Sequence, residues 1–265
     1  MAATVAGGLD PAWAARFPGI QKLISGFLFP VALVFILIAG GELFTGNVMY
    51  MTVGLLTGTV SIWRAFVVLM CSLVTNYLGT VIAAGLSVHF AEYMSADPWK
   101  TYLAHVADAK VKPGFGVLIL KAIPANMLVN LAILLAYAAE DVTGKIISMY
   151  LAIATFAVTG FEHLIANEAY FHFMFFNAPH IPYGLWLWKN FIAVLIGNAI
   201  GAAVVGIVYW YTYLDSTIPE RAKWITTWNC CCPKKKKKDA ADEDAANKNG
   251  LKRPPTNSVP LEEHA

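Results

Sequence analysis

Two apolar stretches of this chain are interrupted in the same way, and that interruption limits the folds open to it. The first carries Gly40-Gly41-Glu42-Leu43-Phe44-Thr45-Gly46-Asn47, the second Gly160-Phe161-Glu162-His163-Leu164-Ile165-Ala166-Asn167. Both read G-x-E-x-x-x-x-N. The glutamates lie 120 residues apart (162 minus 42), and so do the asparagines (167 minus 47). An ionisable residue inside a membrane span is costly and is retained for function. The same costly pattern in each half predicts a duplicated membrane protein with interrupted helices around a shared path.

The rest of the chain supports a membrane setting. Of its 265 residues 58% are hydrophobic and 14% charged, where soluble domains run near half and a quarter. Stretches of about 20 apolar residues suffice to cross a bilayer. They are expected at 22–60 (broken), 65–90, 115–139, 146–176 (broken) and 185–213. A second match reinforces the repeat: Asn76-Tyr77-Leu78-Gly79 and Asn198-Ala199-Ile200-Gly201 share N-x-x-G, 122 residues apart (198 minus 76).

The second half reads plain span, broken span, third span. The first half shows only the last two, and residues 1–9 resemble the tail of a small-residue helix. The expectation is a six-span, all-α integral membrane fold in which most of the first helix is missing. Residues 1–20 would be its stub and loop, and 21–213 the channel domain. Three spans per half is an odd number, so the halves would be inverted in the membrane. A helix broken inside a bilayer frees backbone groups that only protein or a water-lined cavity can satisfy. In return it offers helix N-termini to an anion.

These residues closely resemble the formate/nitrite transporter family over about residues 20–213. The resemblance is carried by Phe29-Pro30, the run from Glu42 to Asn47, Lys110-Val111, Ala125-Asn126, the run from Gly160 to Asn167, Lys189-Asn190 and Gly197-Asn198. It implies an aquaporin-like shape, a homopentamer with a pore in each protomer, and transport of small monovalent anions such as formate or nitrite; algal relatives have been linked to nitrite and bicarbonate. It implies that His163 is the central pore histidine, faced by Thr45, with Glu42, Asn47, Glu162 and Asn167 around the centre. It implies a cytoplasmic constriction of Leu33, Ile36 and Leu43, an outer one of Val129 and Phe156, and an outer vestibule with Lys110 and Asn126. No metal, cofactor or nucleic acid is implied. The alternatives are a neutral-solute channel like an aquaglyceroporin, and a non-conducting truncated homologue.

Each residue also has a plainer reading. A lone histidine in an apolar span is often a satisfied core residue; the break and the adjacent Glu162 argue for function, because imidazole titrates near physiological pH. Glu42 and Glu162 would repel an anion unless backbone or lysine contacts hold them. Lys121 would snorkel or pair with an acid. Trp63, Trp186, Trp188 and Trp210 fall near span ends, where an interfacial belt accounts for them, and Cys71 reads as a packing residue. No phosphate loop or nucleophile elbow is present, so an enzyme is not expected.

Residues 214–265 lack apolar periodicity and carry Lys234 to Lys238. They read as a disordered polybasic tail that keeps the C-terminus on the cytoplasmic side. Cys230, Cys231 and Cys232 beside that run fit reversible palmitoylation or plain thiols. The expected site is the plasma membrane or a chloroplast envelope.

Overall fold

The computed structural model describes residues 6–214, and all regular structure among them is helical. The expectations for the tail, including Cys230 to Cys232, lie outside the described residues. After a helical turn at Ala6-Gly7, the elements are α1 (Pro11–Arg16), α2 (Pro18–Leu28), α3 (Val31–Ala39), α4 (Phe44–Leu56), α5 (Ile62–Phe90), α6 (Trp99–Val111), α7 (Phe115–Ala138), α8 (Val142–Thr159), α9 (Leu164–Asn177) and α10 (Tyr183–Leu214). Five segments are long and apolar enough to cross a membrane: 18–39, α5, α7, α8 and α10. This is an integral membrane protein.

Local chemistry sets the ends of these helices. Asp10 accepts the Trp13 N–H at 2.8 Å, and Asp141 accepts that of Gly144 at 2.9 Å. These caps satisfy donors that a helix start leaves unpaired. Phe29-Pro30 separates α2 from α3 within one apolar stretch. Pro30 supplies no N–H to continue the ladder.

The two breaks are built alike. α3 ends on Gly40 at φ 75° and α8 on Gly160 at φ 73°. Only glycine adopts this left-handed conformation without penalty. The chain then runs extended through Leu43 (φ −115°, ψ 116°) and His163 (φ −118°, ψ 131°) before α4 and α9 begin.

Three features depart from the sequence-based expectation. α6 forms a helix where no apolar span was expected; its Leu103 and Ala107 are buried, and it packs against α9 and α10. Trp186 is not interfacial. It is fully buried among Phe171, His172, Phe175, Tyr183 and Phe191. A tryptophan one turn into a span can face inward as readily as outward, and span position alone does not distinguish the two. Cys71 is exposed on α5, which turns its apolar surface outward.

The tightest packing joins α7 and α10. A Cβ on Gly197 would stand 2.5 Å from the Ile119 carbonyl oxygen, and one on Gly201 would overlap the Ile123 carbonyl. Small residues let membrane helices approach to backbone contact. Gly79, the counterpart of Gly201 in the first half, has open space where a Cβ would stand, with nothing within 4 Å. Gly201→Ala is therefore expected to cost about 1–3 kcal/mol by overpacking. Gly79→Ala should stay within about 0.5 kcal/mol. Thermal unfolding in detergent, followed by tryptophan fluorescence, measures both.

Candidate functional site

Each helix break is closed by one asparagine from a neighbouring span. On α5, Asn76 Oδ1 accepts the Phe44 N–H at 2.8 Å, and its Nδ2 donates to the Glu42 carbonyl at 2.9 Å. On α10, Asn198 Oδ1 accepts the Leu164 N–H at 2.8 Å, and its Nδ2 donates to the carbonyls of Glu162 at 3.0 Å and Ala122 at 2.8 Å. An amide carries a donor and an acceptor on one rigid group. It therefore repairs both kinds of backbone group that a break exposes. These are the asparagines of the N-x-x-G repeat. The repeat marked the positions, but their role was visible only once the spans were packed.

The starts of the two half-helices meet. Thr45 Oγ1, in the first turn of α4, lies 2.9 Å from His163 Nε2, the residue before α9. His163 Nδ1 accepts the Ala166 N–H at 3.4 Å. A nitrogen that accepts carries no proton, so the network assigns the neutral tautomer with Nε2–H directed to Thr45. Beneath this contact, Asn126 Nδ2 donates to the Thr45 and Asn198 carbonyls at 3.0 and 2.7 Å. Asn130 Nδ2 donates to the Asn126 carbonyl at 2.7 Å. Asn126 is fully buried, so it braces the centre and does not stand at a vestibule. Asn130 was not anticipated; it follows Asn126 by one helical turn, a spacing that alone gives no signal of function.

The two motif glutamates diverge. Glu162 is buried, and its Oε2 receives Lys110 Nζ at 2.9 Å and Asn167 Nδ2 at 2.8 Å. Asn167 Nδ2 also meets Asn190 Oδ1 at 3.1 Å, and Asn190 Nδ2 returns to the Lys110 carbonyl at 2.8 Å. This ring neutralises the carboxylate where a bare charge would be very costly. Glu42 is exposed and makes no ion pair among the described residues. Among the described residues the lysine that holds Glu162 has no counterpart at Glu42. Asn47 is buried, and its Nδ2 has no hydrogen-bond partner among the described residues.

His163 faces a cavity of about 410 Å³ whose lining includes Leu33, Ile36, Leu43, Val129 and Phe156. The remaining wall is mainly apolar, with Thr80 and Tyr170 adding hydroxyls. Lys110 does not line this space, but its Nζ stands 5.8 Å from the centre of the Tyr170 ring, which does. Among the described residues no three His, Cys, Asp or Glu side chains are grouped to hold a metal ion. The arrangement can stabilise a small anion by hydrogen bonding and positive potential, then oppose its onward passage as a charge.

Comparison with known proteins adds five findings. The family model described as Formate/nitrite transporter matches residues 1–211. The chain is 37% identical over 239 residues to a probable formate transporter of Methanothermobacter thermautotrophicus, covering 81% of this chain and 82% of that one. It is 34% identical over 209 residues to the nitrite transporter NirC of Salmonella typhimurium, covering 78% and 77%. Among solved structures, an FNT family ion channel superposes with a TM-score of 0.71 at 30% identity, over 79% of this chain and 82% of that one. A pentameric formate channel with formate bound shares the fold at a TM-score of 0.61 and 23% identity, over 80% of this chain and 95% of that one.

Two substitutions test the site's construction. Asn198→Leu strands two or more buried backbone groups, at about 1–3 kcal/mol each. Asn76→Leu, at a half-buried position, should cost less. Lys110→Met should destabilise the fold by roughly 3–5 kcal/mol through the buried unpaired carboxylate. Adding Glu162→Gln should recover most of that loss. Thermal unfolding of the single and double variants reads each effect.

Proposed function

The chain belongs to the formate/nitrite transporter family, and from that membership and the cavity beside His163 we propose that it moves small monovalent anions, formate and nitrite among them, across a membrane. The observation that carries this reading is the pairing of a mainly apolar cavity with one central imidazole at the meeting point of two half-helices. The relatives named as formate and nitrite transporters support it.

In the proposed mechanism, the N-terminal ends of α4 and α9 give the path a positive potential that draws the anion in. An ion cannot cheaply cross the wall formed by Leu33, Ile36, Leu43, Val129 and Phe156. A weak acid that takes a proton, from water or through His163, crosses it as a neutral molecule and ionises on the far side. The Ala166 N–H on Nδ1 and Thr45 on Nε2 hold the ring neutral at rest. It can then receive a proton only at Nδ1, by giving up the Ala166 N–H. Thr45, Glu162, Asn167, Glu42 and Asn47 form the centre in this reading, with Glu162 and Asn167 supporting the histidine loop.

We assign one such pore to each protomer of a homopentamer, in line with the solved pentameric formate channel of the same fold. The lysine run at 234–238 favours a cytoplasmic C-terminus in the plasma membrane or in a chloroplast envelope. A fluorescent fusion separates these two locations.

Stopped-flow light scattering on proteoliposomes tests the function. Formate and nitrite should enter, glycerol should not, and entry should quicken as pH falls. Well above the acid's own pKa, each pH unit changes the neutral acid's share about tenfold. His163→Asn should alter that pH dependence. A flat pH profile shared by the parent chain and the variant would sink the proton linkage, and glycerol entry without anion entry would sink the anion reading.

A further inference from the structure

A second polar cluster lies on a different face of α9 from the one that lines the cavity. Glu168 and His172 are both buried, at 0% and 3% exposure. They sit one helical turn apart, so their side chains share a face. The cavity-lining residues of the same helix (Ile165, Ala166, Ala169, Tyr170 and Phe173) occupy another face. Neither Glu168 oxygen has a hydrogen-bond partner among the described residues, and neither does His172 Nε2. The indole N–H of the adjacent Trp186 is also unpartnered. Buried polar groups are almost always paired, so this concentration calls for an occupant.

The hydrogen bonds that are present fix the proton positions. The Thr80 hydroxyl donates to the Tyr77 carbonyl at 2.8 Å. Its oxygen lies 2.9 Å from His172 Nδ1. With its single proton already committed, Thr80 must accept, so Nδ1 carries the proton. His172 Nε2 is then a bare lone pair in an apolar enclosure. An ionised Glu168 in that enclosure would be a second acceptor served at most by the neutral Trp186 indole N–H, and a buried carboxylate without a counter-charge is very costly. A carboxylic acid removes both defects, because its O–H supplies the donor that Nε2 lacks. No other charge among the described residues takes that role. Lys110 pairs with Glu162, the Tyr77 hydroxyl meets that of Tyr183 at 2.7 Å, His89 packs on Phe176, and Asp108 pairs with His180.

We propose that Glu168 and His172 form a buried proton-binding site, in which a neutral Glu168 shares its proton with His172 Nε2 through one water. The site does not touch the transport path, but it is joined to it. Thr80 Oγ1 accepts from His172, and Thr80 also lines the cavity beside His163. A change of protonation behind α9 is thus transmitted through one hydroxyl to the pore wall. That link to transport rests on the anion-pore reading, whereas the site itself does not.

Infrared spectroscopy of the purified full chain in lipid decides the matter without any transport measurement. At mildly alkaline pH, exposed carboxylates are ionised. The expected result is a residual carboxylic acid C=O band, lost in Glu168→Gln and shifted in His172→Gln. Absence of the band in the folded parent chain overturns the proposal. So does a band that survives Glu168→Gln, and so does one that His172→Gln leaves unmoved. Should Glu168→Gln fail to assemble, the parent band and its response to His172→Gln still decide. If the band behaves as expected while proteoliposomes take up no anion, the pore reading fails and the proton site stands.

Discussion

The structure depends on amide side chains that stand in for backbone. Two apolar stretches are broken, and each break would leave a carbonyl and an N–H without partners in a lipid medium that offers none. Asn76 and Asn198 each meet one N–H and one carbonyl across a break. With the breaks satisfied, two helix N-termini can be held at the centre, and Thr45 can reach His163. Everything proposed for the pore follows from that meeting.

The two halves are symmetric in backbone and asymmetric in chemistry. Gly40 and Gly160 have nearly the same φ, and both breaks are closed by the same residue type. Yet the second break holds a buried, paired glutamate and a histidine, while the first has an exposed glutamate and a threonine. Duplication supplies the scaffold, and divergence at a few positions supplies one titratable group on the central axis. Two ionisable side chains of one sign facing each other there would repel.

Burial of polar groups is concentrated around α9. On one side Glu162, Asn167, Asn190 and Lys110 close a ring with every charge matched. On another face, the Glu168 oxygens and His172 Nε2 have no partner among the described residues. A helix flanked by one charge-matched network and one with unpaired carboxyl oxygens among the described residues is well placed to respond to a proton, because the matched side fixes its position while the other side can change.

The class of protein and the location of its centre were legible in the chain before any folding was considered. Apolar span length identified a membrane protein, and a motif repeated at 120 residues identified two interrupted helices, because the cost of breaking a helix in lipid leaves a pattern that chance rarely duplicates. The positions of Asn76 and Asn198 were legible too, without their purpose. Which buried polar groups meet was settled only by the packing of the spans. Asn126 turned out to brace the Thr45 carbonyl, Glu42 to lie exposed, Trp186 to be core, and Trp99–Val111 to be a helix held by its neighbours. Glu168 gave no signal beyond being acidic in an apolar helix. The hydrogen bonds that close the first break and join the two half-helices link residues 32 to 118 apart in the chain, and local pattern fixes a residue's helix face but not what that face will be packed against.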